Sequence, residues 1–197
     1  MANELRRLER FNQCPHSYYH KYVKNVAEKM GEAGELAMAV RFVVEQYGAD
    51  AAAELVGIRT LMDYAKLAIA NFSLLSEEDH LQDIATMAGR FIAFLKQQNH
   101  VAPFEDYYLT SGADGFTAVN LIKTGWSRAV DPKESIFNKA LAHAVRALTG
   151  EAEVVINIHN LRRGQVATAV MGGDEMDEGA EWVSSTQWEI LRASDKG

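Results

Sequence analysis

The chain has 197 residues, which suits one well-packed domain and is short for two. A hydrophobic fraction of 48% and a charged fraction of 24% exclude a disordered chain, and no run reaches the roughly 18 uncharged apolar residues of a membrane span. The formal net charge of −7 argues against a protein that coats nucleic acid, and a single cysteine, Cys14, excludes an intramolecular disulfide and an all-cysteine metal site.

The opening stretch MANELRRLERF mixes both signs of charge and lacks a following apolar core, so no secretory signal is expected. A reducing, cytoplasmic setting is the default expectation. Asn3 to Tyr22 reads as one helix, or two around Pro15, with Leu5, Leu8, Phe11 and Cys14 as a core-facing stripe. Tyr18, Tyr19 and Tyr22 follow, as base-stacking rings or as packing against the sheet edge. His16 and His20 share one helical face at the i, i+4 spacing of zinc sites, with no third ligand evident.

Gly34 to Gly48 carries an amphipathic pattern in Leu36, Val40, Val43, Val44 and Tyr47. Leu55 to Ser73 is expected to form the next helix. Ser76 then reads as a cap, followed by Glu77, Glu78 and Asp79 where a helix dipole favours negative charge. That helix runs through Ile84, Met87, Phe91 and Leu95 and dissolves near QQNH.

The pattern changes at Pro103. FEDYYL and FTAVNLIKTG read as short strands around the turn signal TSGADG. Asp131-Pro132 leads into a helix from about Glu134 to Leu148, stopped at Thr149-Gly150. EVVINIHNL is the clearest strand, and Arg163-Gly164 turns it into QVATAVM. GGDEMDEG reads as an acidic loop, and Ser185 to Ala193 as a short terminal helix flanked by tryptophans. The expected class is therefore α+β or α/β, a single domain over 1–197. Residues 1–100 form a large helical half, and 101–197 a small mixed central sheet built strand, strand, helix, strand, strand.

Chemistry is suggested by order. Glu105 and Asp106 lie on one strand, Lys123 ends the next, and a helix bearing Asn138 and His143 follows. Carboxylates suit a hard cation such as Mg²⁺, and a lysine can stabilise charge on a phosphate. Arg162 and Arg163 add a small basic cluster at the later turn.

LERFNQCPHSYYHKYV, VNLIKTG, FNKALAHAVRALTG and VVINIHNLRRGQ, in this order, resemble the RecB-like branch of the PD-(D/E)XK nuclease superfamily. The resemblance implies a restriction-endonuclease-like core and a metal-dependent site at Lys123, with Asp106, or Glu105 as an alternative, as its first metal-binding carboxylate. It also implies a second acidic ligand two positions before the lysine. That position is Leu121, which cannot bind metal. Of the four cysteines that hold an iron–sulfur cluster in some members, only Cys14 has a counterpart. The leading expectation is thus a degenerate member, a pseudonuclease serving as a non-catalytic binding or regulatory protein without a cofactor. It would contact protein partners or nucleic acid, at Tyr18, Tyr19, Tyr22, Asn138, Arg162 and Arg163, and no membrane. One alternative is a DNA nuclease with a rearranged site using Mg²⁺ or Mn²⁺, rescued by Asp114 or Glu134. Another is a helical structural or assembly subunit.

Overall fold

A computed structural model describes residues 2–53, 60–104, 107–111, 115–126 and 130–194. The helical half contains α1 (Ala2–Gln13), α2 (Pro15–Tyr18), a π-helical turn (Tyr19–Val23), α3 (Glu32–Ala52), α4 (Leu61–Ile69) and α5 (Glu77–Leu95). The chain then builds β1 (His100–Phe104), β2 (Tyr107–Ser111), β3 (Thr117–Lys123), a 3₁₀ turn (Pro132–Glu134) and α6 (Ile136–Thr149). It ends in β4 (Val154–Asn160), β5 (Gln165–Met171) and α7 (Gly173–Ser194). This is the expected α+β class, a small mixed sheet beside a large helical part. No helix among the described residues is long and apolar enough to cross a membrane.

Local chemistry sets most of these boundaries. Thr60 and Asp63 form a capping box at α4, and Ser76 Oγ accepts the Asp79 N–H at the start of α5. Gly150 ends α6 at a φ of 76°, a left-handed position that a side chain would strain, and its N–H donates to the Arg146 carbonyl.

The sheet order is β1-β2-β3-β4-β5. Only the β3–β4 pair is parallel, with Leu121 opposite Ile158 and Lys123 opposite Asn160; the other neighbours are antiparallel. A parallel pair needs a long crossover, and α6 supplies it. Alternation along each strand sorts side chains to two faces. Val119, Leu121, Ile156 and Ile158 pack beneath α1, α6 and α7. Tyr108, Ile122 and Leu161 join the core of α3, α4 and α5.

That second face also carries a polar ladder. Asn120, fully buried, donates from Nδ2 to the Tyr108 carbonyl at 3.0 Å and to Thr110 Oγ1 at 2.9 Å. Its Oδ1 accepts from Asn157 Nδ2 at 3.1 Å and meets His159 Nε2 at 3.0 Å. Thr168 Oγ1 extends the ladder by donating to Asn157 Oδ1. Because Asn120 Oδ1 only accepts, His159 must hold its proton on Nε2.

Two expectations are corrected, and one strand is added. GGDEMDEG is not a loop: α7 begins at Gly173 and runs 22 residues, absorbing the short helix expected at Ser185 to Ala193. Its early acids favour a helix start, Glu175 Oε2 accepts the Gly172 N–H, and Met176 is fully buried. Gly179 lets α7 cross α6 closely, since a Cβ there would lie 2.4 Å from the Ala140 nitrogen. Cys14 is exposed rather than part of the core stripe, and its Sγ caps α2 by accepting the Ser17 N–H. His100–Phe104 forms a strand despite Pro103, a position that an edge strand tolerates.

Candidate functional site

Lys123 ends β3 with its side chain exposed, and the pleat places Leu121 on the same face one step earlier. Together they line a cavity of about 460 Å³. Its walls also include Val130, Phe137 and Ile158, and its polar lining comes from Glu9, Asp131, Glu134, Ser135 and Asn138. Leu121 is 9% exposed and belongs to the same apolar cluster as Val119, Phe137 and Ile158. The floor is therefore hydrocarbon where a hard cation needs oxygen.

The polar lining is built by short loops. The Asp131 carboxylate accepts the Lys133 N–H, starting the 3₁₀ turn. Asn138 is buried, and its Nδ2 donates to the Pro132 carbonyl at 3.0 Å, so this amide fastens the turn to α6. Glu9 enters from α1; burial raises its pKa, opposed by the charges of Arg6 and Lys123. Around one lysine the cavity thus gathers three carboxyl groups from two segments, α1 and the 3₁₀ turn.

Among the described residues no group of three or more His, Cys, Asp or Glu side chains is arranged to hold a metal ion. Among the described residues, therefore, the leucine floor and the scattered carboxylates do not compose a site for Mg²⁺ or Mn²⁺. Glu105, Asp106 and Asp114, named from the sequence as metal-binding or rescuing carboxylates, lie outside the described residues.

Arg162 and Arg163 lie at the β4–β5 turn and act on the segment after Lys123. Arg162 donates from Nε to the Thr124 carbonyl, pairs with Asp83 at 2.8 Å and stacks on Trp126 at 4.8 Å. Arg163 Nε donates to the Trp126 carbonyl at 2.8 Å. Both arginines therefore brace the Thr124–Trp126 turn, leaving Trp126 66% exposed.

The tyrosines are not brought to this cavity. Tyr18 is buried against Phe11 and Tyr22, and Tyr19 is exposed under the Lys24 ammonium. Tyr22 lies half-buried beneath the Arg7 guanidinium. Tyr18 and Tyr19 line a separate groove with Phe11, Pro15, Val23 and Ile190, between the π turn and the end of α7.

Sequence reasoning missed Glu9 and Trp126. Glu9 directly follows Leu8 at the border of the α1 stripe, a position that predicts partial burial but not the lysine it faces. Trp126 sits three residues after Lys123, and an aromatic beside a Thr-Gly turn was a signal for an exposed ring. Compared with protein-family models, curated proteins and solved structures, the chain matches none.

Proposed function

We propose that this chain is a non-catalytic binding or regulatory protein on a nuclease-like scaffold, and that the cavity at the end of β3 receives part of a protein partner. The observation that carries this reading is Leu121, which supplies an apolar floor beside Lys123 where metal chemistry would need a carboxylate. Support for the scaffold comes from topology. Three strands lead through a crossover helix to a strand parallel to the third, and the lysine stands at the end of that third strand.

Charge favours a protein partner over a nucleic acid. Glu9, Asp131 and Glu134 surround a single lysine, and a phosphate placed there meets more negative than positive charge. An apolar floor with a mixed rim instead suits an apolar or basic side chain, as buried interface anchors do. Trp126, exposed and held by two arginines in the turn that follows Lys123, adds the kind of rigid aromatic surface that interfaces use.

A second reading, a divalent-metal nuclease with a rearranged site, is favoured by one observation: the carboxyl groups of Glu9 and Glu134 line the cavity of Lys123. One assay separates the two. Single- and double-stranded DNA are incubated with the full chain, Lys123→Ala or Glu9→Gln, in Mg²⁺ and in Mn²⁺. The expected result is no cleavage that depends on either side chain. Metal-dependent cleavage abolished by Lys123→Ala would overturn the binding reading and establish the second.

A further inference from the structure

We propose that His16 and His20 form a surface chelate for a borderline divalent transition metal, with Zn²⁺, Ni²⁺ and Cu²⁺ as its class of ligand. The site is independent of the Lys123 cavity and of the function proposed for it.

The two rings are set by backbone that the sequence determines. Pro15 opens α2 at the position where a missing N–H is harmless, and Cys14 caps the same turn. The π turn continues it, so the two histidines stay on one side, with ring centroids 4.4 Å apart. It is the nitrogens that converge: Nε2 of His16 lies 3.3 Å from Nε2 of His20. Two imidazole nitrogens each about 2.05 Å from one Zn²⁺, at the tetrahedral angle, stand about 3.3 Å apart. The pair therefore already has the bite that a tetrahedral ion requires.

A hydrogen bond between the rings would need the same approach, one Nε2–H donating to the other lone pair. A metal uses both lone pairs, and from a centroid separation of 4.4 Å a small outward rotation of the exposed rings aims both at one ion. Neighbouring cations in the sequence are turned elsewhere: Lys21 pairs with Glu28, and the Lys24 ammonium lies over the Tyr19 ring.

No third His, Cys, Asp or Glu joins the pair among the described residues. Water would complete the coordination, as at sites that keep open positions, so the ion exchanges rather than holding the fold together. Imidazole nitrogen also sets the selectivity. Mg²⁺ and Ca²⁺ prefer oxygen, whereas affinity at nitrogen sites rises toward Cu²⁺.

Isothermal titration of the untagged full chain with Zn²⁺ and with Ni²⁺ tests the site. One binding event per chain is expected, weakened tenfold or more in His16→Ala and in His20→Ala, with helicity checked by circular dichroism. His100→Ala should bind as the unsubstituted chain does, and Mg²⁺ should not compete. Histidine-ring NMR of the unsubstituted chain gives the same answer without substitution, because those two imidazoles must shift together as Zn²⁺ is added. Absence of saturable binding, or affinity unchanged in both histidine variants, would overturn the proposal. So would Zn²⁺ shifts confined to other rings.

Discussion

The two faces of the sheet solve the burial problem in opposite ways. Beneath α1, α6 and α7 the strands offer Val119, Leu121, Ile156 and Ile158, an apolar surface that asks only for shape. Beneath α5 the same strands offer Thr110, Asn120 and His159, and each must find a partner on burial. The polar face meets that demand with a connected network centred on Asn120, whose amide group serves five other residues. An apolar row tolerates sliding by two residues; a row of matched donors and acceptors does not. The polar face thus fixes the register, and the apolar face then ends reliably at Leu121 and Lys123.

That contrast breaks most severely at the helix crossing behind the apolar face. Gly179→Ala would drive a Cβ into the backbone of Lys139 and Ala140, where no side chain can yield. Chemical denaturation should show a loss of about 3 kcal/mol or more, the upper range for overpacking. If Gly179→Ala is neutral, α6 and α7 are not locked together as described.

On the polar face, protonation supplies a comparable effect. Burial lowers the His159 pKa from 6.5 to about 4, with Phe94 at 4.4 Å and Phe91 at 5.1 Å from its ring. Below about pH 6.5 the unfolded chain takes up a proton that the folded chain refuses, so stability falls with pH and levels off below about 4. The full excursion is about 3 kcal/mol. Unfolding curves measured across this range should lose that slope in His159→Gln, and an unchanged slope would remove His159 from the account.

Asn120→Ala tests the hub itself, with an expected loss of about 2 to 3 kcal/mol because Asn157, His159 and Thr110 are stranded together. Double-mutant cycles with Asn157→Ala should show coupling rather than additivity. Thr168→Val, at the exposed end of the ladder, should cost at most about 1 kcal/mol. Lys123→Ala should change stability least, within about 0.5 kcal/mol, since the side chain is exposed at the mouth of the cavity. A much larger loss there would mean that the lysine supports the fold rather than faces a partner.

Much of this was legible in local pattern. The caps at Ser76 and Gly150, the α5 stripe and the hairpin after EVVINIHNL follow from spacing and turn chemistry. Even Leu121 could be read in advance, because a period of two puts it on the face of Lys123 whatever the partners. The acidic start of α7 was misread because glycines next to carboxylates suit a loop as well as a helix start. What decides between them is Met176 and Gly179, whose burial against α6 is not a local property.

The sequence by itself determined the helical half, the alternation along β3 and the apolar side chain of Leu121 beside Lys123, since each depends on residues close in the chain. Only tertiary structure decided that Glu9 faces Lys123, that Asn120 collects partners from both neighbouring strands, and that two arginines brace the turn at Trp126. Those contacts join segments dozens of residues apart. Periodicity records which face of an element a side chain occupies, but it holds no information about which distant side chain the packing brings to meet it.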